Sequence, residues 1–167
     1  WAKSLGCDVI GTVGSDEKIE IAKKFGCTYV INYSKDDFQK KVMEITNEEG
    51  LPVVYDGVGK VTMEKSLGCL KMRGTFVSFG NASGKLDPLD VGKLIAPKGL
   101  FLTRPSIAHY TATRKELDEA ADKLFEMVKT QKVKIDIFKK YGLKDAVNAH
   151  KDLEGRKIIG PAIIVPN

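Results

Sequence analysis

The stretch Gly14-Ser15-Asp16-Glu17-Lys18 gathers groups that suit an anion. It follows the apolar run "DVIGTV" and opens the helical pattern "EKIEIAKKFG". Ser15 is a good helix cap, and Lys18 falls in the first helical turn. A lysine there faces the positive end of the helix dipole, which is unfavourable on its own. An anion at the helix start reverses the sign, because backbone N–H groups, the Ser15 hydroxyl and Lys18 then converge on it. A dinucleotide site that grips a ribose 2′-hydroxyl wants a carboxylate near this strand end. Gly-Ser with a nearby lysine suits a 2′-phosphate instead. Asp16 and Glu17 are then dipole-compensating residues of the first turn. The plainer reading of the same residues is an ordinary surface helix start.

Tyr33 ends the next apolar run, "VINY". At a strand's carboxyl end it faces the crevice where open sheets bind ligands, and it could stack on an adenine or donate to a phosphate. It could equally be a packing residue of the rim. In "VVYDGVG" the pair Gly57 and Gly59 is a weak phosphate-loop signal, since a third glycine is absent; a tight turn capped by Asp56 accounts for it better. "VSFGNASG" is richer. Phe79, Gly80, Asn81, Ser83 and Gly84 form a polar loop after another strand, and Gly80 lets the backbone approach a ligand. His109 and His150 are the only histidines. They lack metal spacing, and the helical neighbours of His150 (Ala146, Ala149 and Leu153) predict a packed structural side chain. No catalytic acid, base or nucleophile is assigned.

These residues need a scaffold, and the apolar pattern supplies one. "DVIGTV", "TYVINY", "VVYDGV", "GTFVSFG" and "LFLTRP" are short, β-branched or aromatic runs, as buried parallel strands tend to be. Between them lie helical patterns. Ser34-Lys35-Asp36-Asp37 reads as a helix start, with Phe38, Val42 and Ile45 on one face. Val61 to Leu70 reads as a shorter helix. Strand alternating with helix predicts a doubly wound α/β fold around a parallel sheet. After Pro105 the rhythm changes. Thr113-Arg114-Lys115-Glu116 is a capping box, and Leu117, Ala120, Ala121, Leu124 and Val128 follow at helical spacing. "VKIDIFKKYG" alternates like a strand with one wet face, "LKDAVNAHKDLEG" is helical, and "PAIIVPN" is a final strand.

The 167 residues suffice for one domain with a sizeable core, and 43% hydrophobic with 29% charged residues describes a globular chain. No apolar run approaches the ~20 residues that span a bilayer. "WAKSLG" resembles the tail of an amphipathic helix, which predicts a piece of a longer protein. Cys7, Cys27 and Cys69 form no C-x-x-C pair, so they read as small apolar fillers in a reducing cytosol rather than as metal ligands or disulfides. The net charge of +5 permits anionic ligands, nucleotides and RNA included, without selecting among them.

Taken in order, "WAKSLGCDVIGTVGS", "VINYSKDDF", "VVYDGVG", "SLGCLKMRGTFVSFGNASG", "LTRPSI", "YTATRKEL" and "LKDAVNAHKDLEGR" resemble the zinc-independent, zeta-crystallin-like quinone oxidoreductases of the medium-chain dehydrogenase/reductase superfamily. The resemblance runs the length of the chain. It implies a Rossmann domain over residues 1–131 that lacks its first strand and pyrophosphate loop, and a segment over 132–167 that returns to a GroES-like substrate domain. It implies NADPH as cofactor, a quinone as substrate, no metal, and a homodimer in the cytoplasm. An enone or carbonyl reductase of the same superfamily, or a mainly non-catalytic NADPH- or RNA-binding protein, remains open. By resemblance, Gly14, Ser15, Lys18 and Tyr33 sit where the family grips the adenosine 2′-phosphate. Phe79, Gly80 and Asn81 match the loop beside the nicotinamide ribose. Thr103 and Arg104 match the strand and loop near the nicotinamide, and Arg156 matches a C-terminal cofactor contact, although Ile158, Ile159 and Pro161 around it depart from the family pattern.

Overall fold

Parallel strands joined through helices account for most of the chain. The computed structural model describes residues 1–155 and 157–166. It divides into two compact units, Val9–Ala120 and a second made of Trp1–Asp8 with Ala121–Asn167.

In the first unit the order is β1 (Ile10–Val13), α1 (Glu17–Lys24), β2 (Tyr29–Asn32), α2 (Phe38–Ile45), β3 (Leu51–Asp56), α3 (Met63–Gly68), β4 (Leu70–Ser78), α4 (Val91–Leu94), β5 (Phe101–Thr103) and α5 (Ile107–Tyr110). β1 pairs in parallel with β2, with Ile10 opposite Tyr29 and Val13 opposite Asn32. β3, β4 and β5 form a second parallel sheet in that order. No strand among the described residues lies between β1 and β3. This is the fold expected of a Rossmann sheet without its first, central strand.

Helix α2 joins the two sheets. Asp37 caps it by accepting from the N–H groups of Gln39 and Lys40 at 3.0 and 3.3 Å. Its 3.6-residue period then buries Phe38 and Val42 against Ile31 of β2 and Cys69, with Ile10, Leu51 and Val54 packed around them. Burial pushes the Cys69 thiol up to about 12, so it behaves as an apolar filler. Cys7 was expected to do the same but is exposed. A second core lies beside β4, where Leu70 and Phe76 are fully buried against Met63, Leu67 and Leu100. Burying a side chain such as Phe76 contributes roughly 2–3 kcal/mol.

The expected helix through Leu70 is shorter than its apolar pattern. α3 stops at Gly68, and Leu70 already belongs to β4. The Lys98 ammonium donates to the Gly68 and Leu70 carbonyls, at 3.0 and 2.6 Å, and so closes that helix end.

Helix α6 (Arg114–Lys129) runs from the first unit into the second. Its capping box forms as expected: the Thr113 N–H donates to the Glu116 carboxylate at 2.9 Å, and the Glu116 N–H donates back to the Thr113 hydroxyl at 3.2 Å. Beyond it lie β6 (Lys139–Gly142), α7 (Ala146–Glu154) and β7 (Ala162–Val165), with β6 and β7 parallel. The expected strand over "VKIDIFKKYG" is confined to its last four residues. Alternation alone could not show this, because β7 supplies ladder partners only from Lys139 to Gly142.

Candidate functional site

The sequence-predicted residues of the first unit fall at the carboxyl ends of its parallel strands, the edge where open α/β sheets hold ligands. They form two groups.

The first group lies after β1 and β2. Helix α1 starts at Glu17, one residue later than a Ser15 cap requires, and no side chain caps it. Asp16 stands at the cap position, but its carboxylate is engaged elsewhere. Oδ1 accepts from the Asn32 amide at 2.6 Å, and Oδ2 pairs with the Lys35 ammonium. These hydrogen bonds, Lys35 first, hold the Asp16 carboxyl below the usual carboxylate range. The first turn has no side-chain cap, and its Lys18 and Ile19 N–H groups donate to the Ser15 and Asp16 carbonyls at 3.2 and 3.0 Å, so the groups it offers an anion are the half-buried Ser15 and Lys18 side chains. No carboxylate among the described residues pairs with Lys18.

Tyr33 closes the other side. Its N–H donates to the Val13 carbonyl at 3.0 Å, and the Ser34 hydroxyl donates to the Gly14 carbonyl at 2.9 Å. These bonds tie the two strand ends together. Gly14 is required by this approach. A Cβ there would lie 2.9 Å from the Tyr33 hydroxyl oxygen and 3.3 Å from its ring carbon Cζ. The Tyr33 ring, 42% exposed, is thus held over the loop with one side in solvent. A glycine, a hydroxyl, a free ammonium and an open ring around an uncapped helix start fit a nucleotide phosphate.

The second group lies after β3, β4 and β5, and buried Asp56 organises it. Asp56 Oδ1 accepts from the Val58 and Gly59 N–H groups at 2.8 and 2.9 Å, and Oδ2 accepts from the Thr62 and Ser66 hydroxyls at 2.7 Å each. This is the capped tight turn expected of "VVYDGVG", and Gly59 in it has φ +91°. The neighbouring loop is laced to it. The N–H groups of Phe79, Ala82 and Ser83 donate to the carbonyls of Asp56, Gly57 and Val58. A side chain at Gly80 would collide with the Gly57 carbonyl, so glycine lets the two loops touch. Phe79 and Asn81 are exposed on this edge.

Thr103 ends β5, and Arg104 follows it. Arg104 Nη1 donates to the Ser78 carbonyl and hydroxyl at 3.1 Å each and to the Gly80 carbonyl at 3.4 Å. Arg104 therefore braces the Phe79–Asn81 loop from the next strand. Sequence reasoning gave Arg104 only a place near the ligand, because its acceptors are backbone atoms that no motif reveals. It also missed the Asn32–Asp16–Lys35 network, whose members are 16 and 19 residues apart and meet only through the β1–β2 pairing.

Arg156 lies outside the described residues. In the second unit, Asp152 accepts from the Lys139 ammonium at 2.9 Å and the Tyr141 hydroxyl at 2.8 Å. A cavity of about 310 Å³ opens beside this pair, lined by Tyr141, Leu153 and Ile163 among others. His150 also lines it and is exposed, contrary to the packed side chain expected. The helical neighbours mislead here because Leu153, expected to share its buried face, is itself 60% exposed. Among the described residues no group of three or more His, Cys, Asp or Glu side chains could hold a metal ion. No described helix is long and apolar enough to cross a membrane.

A family model described as zinc-binding dehydrogenase matches residues 1–126. The chain belongs to that dehydrogenase family. A 2-haloacrylate reductase of Burkholderia sp. is 45% identical over 99% of this chain and 50% of its own length. Quinone oxidoreductase 1 of Escherichia coli K12 is 44% identical over 99% of this chain and 51% of its own. The crystal structure of Escherichia coli quinone oxidoreductase complexed with NADPH superposes with a TM-score of 0.94, at 44% identity, over 99% of this chain and 52% of that one. The chain spans about half the length of these relatives.

Proposed function

We propose that the full-length protein transfers a hydride from NADPH to a quinone. The observation that carries this reading is the close approach of the Tyr33 ring to Gly14, next to Ser15 and to the start of α1 with its unpaired Lys18, residue types suited to an adenosine 2′-phosphate. The similar Escherichia coli quinone oxidoreductase, solved with NADPH, supports the same cofactor. In this reading Lys18 and Ser15 hold the 2′-phosphate, and Tyr33 covers the adenosine. Phe79, Gly80 and Asn81 flank the nicotinamide ribose, with Thr103 beside them and Arg104 bracing their loop. Arg156 adds a contact from the C-terminal segment.

The nicotinamide, when bound, supplies the hydride; the chain supplies orientation and a water-poor edge. Quinone and hydride then give the hydroquinone anion, which takes one proton to become the hydroquinone. No residue of this chain is assigned as the donor of that proton. Three unpaired cysteines accord with a reducing compartment such as the cytosol.

A second reading has a specific observation behind it. The relative that reduces 2-haloacrylates is as similar as the quinone reductases. A hydride acceptor polarised by a neighbouring carboxylate would use the same cofactor site. The test is NADPH oxidation by the full-length protein with 1,4-benzoquinone and with 2-chloroacrylate. Faster turnover of the quinone supports the first reading, and faster turnover of the acrylate supports the second. Equal oxidation of NADH and NADPH by either substrate rejects the cofactor assignment.

A further inference from the structure

The Asp16 carboxylate stands next to Ser15 and two residues before Lys18, so its charge lies beside the position read above as the 2′-phosphate site. A free carboxylate there would act against that ligand in two ways. It would repel a phosphate, and it would offer an acceptor to an unphosphorylated ribose hydroxyl. In this chain neither oxygen is free. Oδ1 takes a hydrogen bond from Asn32 Nδ2 at 2.6 Å, and Oδ2 is paired with Lys35 Nζ. Asn32 is only 5% exposed at the end of β2, and its own carbonyl oxygen accepts from the Ser34 N–H at 3.0 Å. The amide is thus fixed in the orientation that aims its donor at Asp16. Lys35 follows on the same loop, and the Ser34 hydroxyl fastens that loop to the Gly14 carbonyl. The same contacts raise the affinity of Lys35 for its proton, so the pair keeps both charges over the working pH range.

We propose that Asn32 and Lys35 determine cofactor preference by occupying both oxygens of Asp16, which removes a carboxylate that would otherwise favour NADH over NADPH. The proposal rests on the reading of Ser15, Lys18 and Tyr33 as the 2′-phosphate site. Asn32 and Lys35 act through Asp16 and are specificity residues without contact to the reacting atoms.

The experiment uses the full-length protein and three variants, Lys35→Met, Asp16→Asn and the double variant, with Lys18→Ala as a control on the site itself. The Lys35 and Asp16 side chains are 64% and 56% exposed, so these changes leave the core intact. The readout is the ratio of dissociation constants for NADH and NADPH, repeated with 5′-AMP and 2′,5′-ADP to isolate the adenosine end. Lys35→Met lowers the preference for the 2′-phosphorylated ligand by about fivefold, the scale of one exposed charge pair. Asp16→Asn in the same background restores it. An unchanged ratio in Lys35→Met, while Lys18→Ala lowers it, overturns the proposal and leaves the site reading standing. An equal loss from Lys35→Met with and without Asp16→Asn also overturns it, because Lys35 then acts on the phosphate directly. If Lys18→Ala leaves the ratio flat, the site reading fails and takes the proposal with it.

Discussion

At the scale of single residues, two side chains carry distinct loads. Lys18 sits in the first turn of α1 with no carboxylate partner among the described residues, which makes a structural purpose hard to find for it. Its replacement should be felt in binding. Lys18→Ala is expected to weaken NADPH more than NADH, by roughly 1–3 kcal/mol for a lost charge-assisted contact. Titration of the full-length variant with both cofactors checks this, and an equal loss for the two would place the phosphate elsewhere. Asp56 is the opposite case. Its carboxylate is 5% exposed as a residue and satisfies two N–H groups and two hydroxyls at once. Asp56→Ala removes this acceptor from all four donors, of which the Thr62 hydroxyl alone keeps a second one, the Gly59 carbonyl at 3.2 Å, and about 3 kcal/mol of stability should be lost. Asp56→Asn keeps the shape and part of the bonding, so it should lose less. Urea denaturation of the two variants separates them; equal losses would mean that the turn does not depend on the pattern of acceptors.

At the scale of elements, what was legible in the sequence follows from the range of the forces involved. The capping box of α6 and the Asp56 turn are local, and each was readable from neighbouring residues, whereas the helix start read at Ser34–Asp37 lies later, with Asp37 itself as the cap of α2. The five parallel strands of the first unit were readable because strands buried on both faces repeat a short apolar run. Element ends were not. β4 extends back to Leu70 because Leu51 gives it a ladder partner from across the sheet, and residues 133–137 have no ladder partner among the described residues. The Arg104 brace and the Asn32–Asp16–Lys35 network depend in the same way on which strands lie side by side. β5 also carries a prediction. It pairs with β4 on one side only, and Phe101 and Leu102 are 62% and 43% exposed on it. Ile107 and Tyr110 of the following α5 are 81% and 66% exposed. An apolar edge of this kind invites a symmetry mate. The full-length protein is expected to be a homodimer through this strand, and Leu102→Glu is expected to give monomers by light scattering at micromolar concentration. A dimer that survives Leu102→Glu would move the interface elsewhere.

At the scale of the whole molecule, the decisive feature is the break between β1 and β3. Both belong to one compact unit, and α2 packs against both sheets, yet no described strand pairs with the facing edges. The backbone groups along those edges have water as their alternative partner, and Val53 and Tyr55 of β3 are 40% and 73% exposed. In a doubly wound sheet this is the position of the central strand, which is buried on both faces and pairs on both sides. Without it the unit loses two strand ladders and part of its core together. Each ladder hydrogen bond exchanged for water forfeits about 0.5–1.5 kcal/mol, and a domain's whole stability is only about 5–15 kcal/mol. Residues 1–167 expressed alone are therefore expected to show no cooperative thermal transition and no tight NADPH binding. Hydrogen exchange is expected to be fastest along β1 and β3, while β4, which pairs on both sides, keeps the most protection. Addition of a segment able to pair with both edges should restore a sharp transition. A cooperative, monomeric unfolding of residues 1–167 with micromolar NADPH affinity would show that β1 and β3 need no strand between them.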